Sequence, residues 1–360
     1  MKAAVLREQG GPLSVEDLTL PALQPGQVRV RLAATGVCHS DLSLANGTMT
    51  HELPVVLGHE GAGRIAELGP EVTGLAVGDP VLLNWAPACR RCWHCEHGEP
   101  YLCSNATLAW QRPYARLADG SDVYPGLGTA AFATETVIAA DACVRLPDDV
   151  PLDQAALLGC AVLTGVGAVL NAARVQPGET VMVVGLGGVG LCAVQGARIA
   201  GAGRVIAVDP APEKAELAVR LGATDVLEPS PDLARRVRGL TEGRGVDHAI
   251  ECVGRADTIR GAWSATRRGG RTTVVGMGSR SDTLTFNALE IAHWARTLTG
   301  CMFGNSDPAA DLPALIEHYR AGRLDLAALV TDRIGLDQVG PAFEAMQAGR
   351  GARSLVVFGG

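Results

Sequence analysis

The stretch TVMVVGLGGVG at 180–190 constrains the fold of this chain more than any other. A short apolar, β-branched run leads into Gly185-Leu-Gly187-Gly188-Val189-Gly190, and the helix-like GLCAVQGARIAGA follows at once. A strand, a glycine turn and a helix in that order are the context that gives a G-x-G-x-x-G match its meaning. Gly185 permits the tight turn, Gly187 lets the backbone approach a pyrophosphate, and Gly190 lets helix and strand pack closely. The helix N-terminus then favours the phosphate charge. The next strand-like run, RVIAVD, ends in Asp209, about 20 residues on, where a carboxylate accepts hydrogen bonds from ribose hydroxyls. Pro210, Ala211 and Pro212 follow, with no arginine to neutralise a 2′-phosphate, so NAD is expected over NADP.

The same texture continues on both sides of that loop. From about residue 175, apolar runs (RVIAVD, DVLEP, VDHAIECVG, RTTVVGM) alternate with helix-like segments (APEKAELAVRLGA, PDLARRVRGL, ADTIRGAWSATRRGG). Alternation of this kind builds a parallel sheet with helices on both faces. Residues 1 to about 160 differ: Gly and Pro punctuate short runs such as QVRVRLAATGV, VVLGHEGAGRIAEL and AVGDPVLL, the pattern of an irregular β-rich domain. After about residue 300 come the helical PALIEHYRAGR and VGPAFEAMQAGR and a last strand, RSLVVFG. A chain of 360 residues exceeds the size at which a single core stops growing. The expected division is 1–160 with 303–360 as a β-rich domain, and 161–302 as a doubly wound α/β cofactor domain.

A net charge of −7 gives no footprint for nucleic acid or an anionic membrane, so a small molecule is the expected partner. No long uninterrupted apolar run appears, and the start MKAAVLREQGGPL lacks the apolar region of a signal peptide. A cytoplasmic protein is expected, whose 10 cysteines stay reduced and cluster for metal binding or catalysis. Four of them, Cys89, Cys92, Cys95 and Cys103, crowd into PACRRCWHCEHGEPYLC. Cys143, Cys192, Cys252 and Cys301 sit singly in apolar surroundings and read as buried packing. Cys38 in TGVCHSDLSL and Cys160 in LLGCAVLTG remain. With His59 in VLGHEGAG they would make the thiolate, imidazole and thiolate of a catalytic zinc site, which keeps its fourth position for water or substrate, although taken singly His59 reads as a core histidine and Cys160 as a buried hydrophobe. Spacing alone does not link three residues so far apart.

Taken together, GVCHSD, GHEGAG, the four-cysteine lobe, GCAVLTG, GLGGVG and VD resemble the zinc-containing medium-chain alcohol dehydrogenases over nearly the whole chain. The resemblance implies a Rossmann sheet beside a GroES-like catalytic domain with a zinc lobe. It also implies NAD, two zinc ions per chain, and a homodimer or homotetramer. Cys38, His59 and Cys160 become ligands of catalytic zinc, with Glu60 near the metal and Asp41 orienting the imidazole. Cys89, Cys92, Cys95 and Cys103 become a closed structural site with no open position for substrate. The lobe's Arg90, Arg91, Glu96 and Glu99 are expected as solvated surface, and His94 and His97 as bystanders.

In such enzymes zinc acts as a Lewis acid on the alcohol oxygen while a hydride passes to NAD. Ser40 matches the hydroxyl that takes the proton toward the nicotinamide ribose. The relay's usual histidine is replaced by Ser43, so His39 is expected at the pyrophosphate and the proton to leave through ribose and water. Val189 and Thr164 match positions near the nicotinamide, Lys214 one near the adenosine ribose, and Arg353 one on the pyrophosphate. Met49, Trp85 and Leu127, with Gly126 leaving space, match an apolar substrate pocket suited to primary aliphatic, allylic or aromatic alcohols. The alternative is an S-(hydroxymethyl)thiol substrate. Thr107 replaces the arginine of glutathione-dependent members, with Arg112 or Arg116 left to supply an anion contact. A non-catalytic NAD- and zinc-binding sensor is the remote alternative.

Overall fold

The computed structural model describes residues 1–359, which form two compact units. The first contains Met1–Cys160, Asp307–Leu312 and the residues from Val330 onward; the second contains Ala161–Ser306 and Pro313–Leu329. The first 160 residues group as expected, but the C-terminal boundary differs, because 303–306 and 313–329 belong to the second unit. Side chains of that unit hold them there. Ser306 Oγ donates to the Leu163 carbonyl at 3.2 Å, and Gln195 pairs with the Asp325 backbone through both amide atoms at 2.7 and 3.3 Å.

In the first unit, QVRVRLAATG forms strand β1 (Gln27–Gly36), whose Val28, Val30, Leu32 and Ala34 alternate into the core. The helix α1 (His39–Ala45) starts directly after Cys38. Strand β2 (Glu60–Leu68) runs antiparallel to β1 with Gly36 opposite Glu60, and the C-terminal strand Arg353–Val357 pairs with the other edge of β1, with Leu355 opposite Gly36. Gly36 is thus flanked by both neighbours. A Cβ there would lie 2.0 Å from Glu60 Oε2, so only glycine leaves room for that carboxylate.

The second unit is built on six parallel strands: β3 (Thr180–Val184), β4 (Arg204–Val208), β5 (Asp225–Leu227), β6 (Val246–Glu251), β7 (Thr266–Val274) and β8 (Thr297–Gly300). Their spatial order is β5-β4-β3-β6-β7-β8. Successive strands leave β3 in opposite directions, which opens a crevice at its carboxyl end, and the glycine loop lies there. Met182, Ile206, Val208, Val246 and Ala249 form the buried core of this sheet. No single helix among the described residues is long and apolar enough to cross a membrane.

Candidate metal centre and cofactor loop

Cys38, His59, Glu60 and Cys160 converge, with their ligand atoms all within 4.8 Å of one another and all four side chains buried. Local geometry brings in the first three. Cys38 precedes α1, and Asp41 on the first turn folds back so that Oδ2 accepts from the Cys38 N–H at 3.3 Å. Its Oδ1 accepts from the Gly58 N–H at 2.9 Å and lies 3.0 Å from His59 Nδ1. A carboxylate here can only accept, so Nδ1 carries the proton and Nε2 is the ring nitrogen open to a metal.

The electrostatics are those of a buried, anion-rich pocket. Burial, with the Cys38 charge, pushes the Glu60 carboxyl up to about 8 against the pull of Arg353. The hydrogen bond from Cys160 holds the Cys38 thiol well below its ordinary value, helped by the charges of Arg353 and His59, while Cys160, the donor of that pair, is pushed well up. Burial alone would lower the His59 imidazole, but Asp41 and Cys38 together raise it well above its usual value. Arg353 is 5% exposed; its Nη1 donates to the Val37 carbonyl at 2.8 Å and its Nη2 lies 3.2 Å from Glu60 Oε1. Two thiols and two carboxyls face one guanidinium and one imidazole here, and buried charges need pairing or a metal. Two sulfurs, an imidazole held by its other nitrogen, and a nearby carboxylate fit zinc.

The lobe forms the second cluster, with the sulfurs of Cys89, Cys92, Cys95 and Cys103 also within 4.8 Å of one another. None of the ten cysteines is in a disulfide. Backbone N–H groups of Cys95 and Ser104 bring the Cys92 thiol down to about 6, and the Cys89 N–H donates to Cys103 Sγ at 3.3 Å. Amides aimed at sulfur stabilise thiolates, as a Cys₄ zinc site requires. Arg90 is not simply solvated: it forms a two-pronged ion pair with Asp307, one arm at 2.8 Å, because the chain returns to this unit at that residue. Arg91 lines a cavity beside the lobe. His94 is half-buried against Glu99 at 3.0 Å, whereas His97 is exposed and stacked on Trp93 at 4.2 Å.

In the second unit three glycines of the loop differ in their surroundings. Gly185 has φ +88°; at Gly190 a Cβ would meet the Gly185 carbonyl oxygen at 1.8 Å; at Gly187 it would meet nothing within 4 Å. Open space at Gly187 is what a bound pyrophosphate needs. Gly188, Val189 and Gly190 begin the helix α2 (Gly188–Ile199). Asp209 is buried, and its Oδ2 accepts from the Leu186 N–H at 2.7 Å while Oδ1 accepts from the Ala211 N–H at 2.9 Å. Each oxygen keeps a second lone pair for a ribose hydroxyl. Thr164 is buried in the helix Ala161–Gly167, and Lys214 is half-buried on the first turn of the helix Pro212–Leu221.

His39 is exposed and Ser40 and Ser43 are half-buried on α1. Trp85 lies edge-on to the His59 ring at 6.2 Å. Leu127 is 3% exposed and packs in the same apolar cluster as the half-buried Met49 and Trp85, beside the fully buried Gly126. Arg353, expected on a pyrophosphate, touches Glu60 and the Val37 carbonyl; the pairing of its strand with β1 puts it there. Sequence reasoning missed this ion pair, which spans 293 positions, and the only local signal was the glycine opposite Glu60. It also missed Glu251 at the end of β6, whose carboxylate accepts from the N–H groups of Val253 and Gly254 and from Thr258 Oγ1. Of the single cysteines, Cys192 is buried and Cys143, Cys252 and Cys301 are half-buried.

Residues 24–148 match the family described as Alcohol dehydrogenase GroES-like domain, and residues 188–320 match that described as Zinc-binding dehydrogenase. The S-(hydroxymethyl)glutathione dehydrogenase of a Synechocystis species is 36% identical over 365 residues, covering 99% of each chain. Alcohol dehydrogenase class-3 of Drosophila melanogaster is 36% identical over 374 residues, covering 99% of this chain and 97% of its own. Among solved structures, an alcohol dehydrogenase zinc-binding domain protein from Burkholderia ambifaria superposes with a TM-score of 0.94 at 32% identity, covering 100% of this chain and 99% of its own. Benzyl alcohol dehydrogenase from Acinetobacter calcoaceticus gives 0.92 at 30% identity, covering 99% of each.

Proposed function

This chain belongs to the zinc-dependent alcohol dehydrogenase family, and on that premise we propose that it oxidises a primary alcohol with an aliphatic, allylic or aromatic group to the aldehyde, reversibly, with NAD. The observation that carries the reading is the buried convergence of Cys38, His59 and Cys160, with Asp41 fixing the imidazole and Glu60 alongside. Zinc held there would supply Lewis acidity at an alcohol oxygen, and NAD a hydride acceptor.

The chain's own residues do the remaining work. Asp41 fixes the His59 tautomer and orientation, which a rigid ligand set needs. Arg353 lies against Glu60 at 3.2 Å and keeps its carboxyl beside the ligands. Trp85 supplies an apolar wall next to His59 for the substrate's carbon group. Ser40, half-buried on the first turn of α1, would take the hydroxyl proton and release it toward water, and the exposed His39 would contact the cofactor's pyrophosphate. Gly187 and the α2 N-terminus receive the pyrophosphate and Asp209 the ribose. Subunits pair through β8, an edge strand carrying the exposed Leu298, giving a homodimer or homotetramer that light scattering would size.

A second reading is favoured by the Synechocystis relative's name: the substrate is an S-(hydroxymethyl) adduct of a thiol, glutathione or mycothiol. NADH formation with benzyl alcohol, measured against formaldehyde plus each thiol, separates the two. Turnover of the alcohol supports the first reading, and turnover of an adduct alone replaces it with the second.

A further inference from the structure

Beside the lobe lies a cavity of about 350 Å³ that none of the four metal-centre side chains lines. Its walls come from one unit only. Leu108, Pro113, Pro125, Val137 and Ile138 make it largely apolar. Into this lining the chain places Tyr114, which is 6% exposed and whose hydroxyl has no hydrogen-bond partner. Burial pushes this phenol well up, so it stays a donor in need of an acceptor. Arg91 and Arg112 line the same cavity, and neither guanidinium has an ion-pair partner among the described residues. Arg116 is different: it points to Asp122, at 3.1 Å, and lies off the cavity.

We propose that this cavity is a binding site, separate from the metal centre, for a small apolar molecule ending in one carboxylate, such as an aryl carboxylate. A buried hydroxyl without a partner and two exposed guanidiniums line one mostly apolar chamber, and a carboxylate offers them acceptors and charge together. Asp141 also lines the chamber and removes one of its two positive charges, so a monoanion suits it better than a phosphate dianion. Trp85 is the wall between the chamber and the metal centre, its ring standing 6.2 Å from that of His59. The chamber's size matches that of sites for small ligands.

The test is calorimetric titration of benzoate into the zinc-loaded, NADH-saturated protein, with benzamide as the neutral isostere. One benzoate per chain is expected, with benzamide bound at least tenfold more weakly. Arg91→Gln combined with Arg112→Gln should weaken benzoate at least tenfold, and Tyr114→Phe several-fold, while Arg116→Gln leaves it at the parent value. Excess benzyl alcohol should change the benzoate affinity less than twofold. Absence of benzoate binding, displacement by benzyl alcohol, or unchanged affinity in the Arg91/Arg112 variant would each overturn the assignment. None of these readouts requires alcohol turnover, so failure here is distinct from failure of the proposed activity.

Discussion

Replacing Asp41 by Asn tests the link between a buried carboxylate and the metal centre without changing shape. Asp41 is fully buried and accepts three hydrogen bonds, two at Oδ1 from Gly58 N and His59 Nδ1, and one at Oδ2 from Cys38 N. An amide retains the pair at Oδ1 only by turning its NH₂ against the Cys38 N–H, so one acceptor is lost and two donors face each other. Leaving a buried donor unmet costs about 1–3 kcal/mol. Loss of a partner that orients a ligand imidazole typically lowers metal affinity about 10–100-fold, or about 1.4–2.8 kcal/mol. Asp41→Asn should therefore release one zinc at a roughly 10–100-fold lower chelator concentration and retain the other. Stepwise chelation, followed by a colorimetric zinc indicator and by NAD reduction, measures both. If both zincs left at the parent concentrations and turnover were unchanged, Asp41 would not be holding His59 for a metal.

Other expectations follow from the same geometry. Gly190→Ala sets a Cβ 1.8 Å from the Gly185 oxygen and should cost about 3 kcal/mol or more; NADH affinity and the melting midpoint should both fall, with zinc content unchanged. Asp209→Ala removes the acceptor for the N–H groups of Leu186 and Ala211; KM for NAD should rise at least tenfold, and the preference for NAD over NADP should shrink. Cys95→Ser opens the lobe and should lose one zinc and about 2 kcal/mol or more, visible as a lower melting midpoint. A variant that kept both zincs and full stability would show that the lobe is not a metal-held brace.

The parts of this fold written in nearby residues could be read directly. The parallel sheet follows from alternating apolar runs, and the glycine loop with Asp209 carries its steric logic within about 30 residues, the span of a single βαβ unit. The lobe is equally local, four cysteines within a short stretch. Features made by distant strands could not be read in that way. Nothing near Cys160 points to Cys38 or His59, and only the family resemblance joined them. Arg353 meets Glu60 because the last strand pairs with β1 beside β2, a register no local pattern encodes. Arg90 is exposed surface charge as expected, but its pairing with Asp307 needed the chain's return to this unit. The same holds for 313–329: their helical pattern was legible, but which core they join depends on Gln195 and Arg198 in a distant helix. The Tyr114 chamber needed the post-lobe segment folded against the strand Glu135–Ala139 before its residues met.

The central claim is that Cys38, His59 and Cys160 hold the zinc that does chemistry, and that the lobe holds one that does not. Zinc content and NAD reduction with benzyl alcohol, measured together on the parent and on Cys160→Ser, test it most directly. Two zincs with turnover in the parent, and one zinc with no turnover in a folded variant, are the expected results. A Cys160→Ser protein that retained two zincs, or that reduced NAD at the parent rate, would contradict the claim.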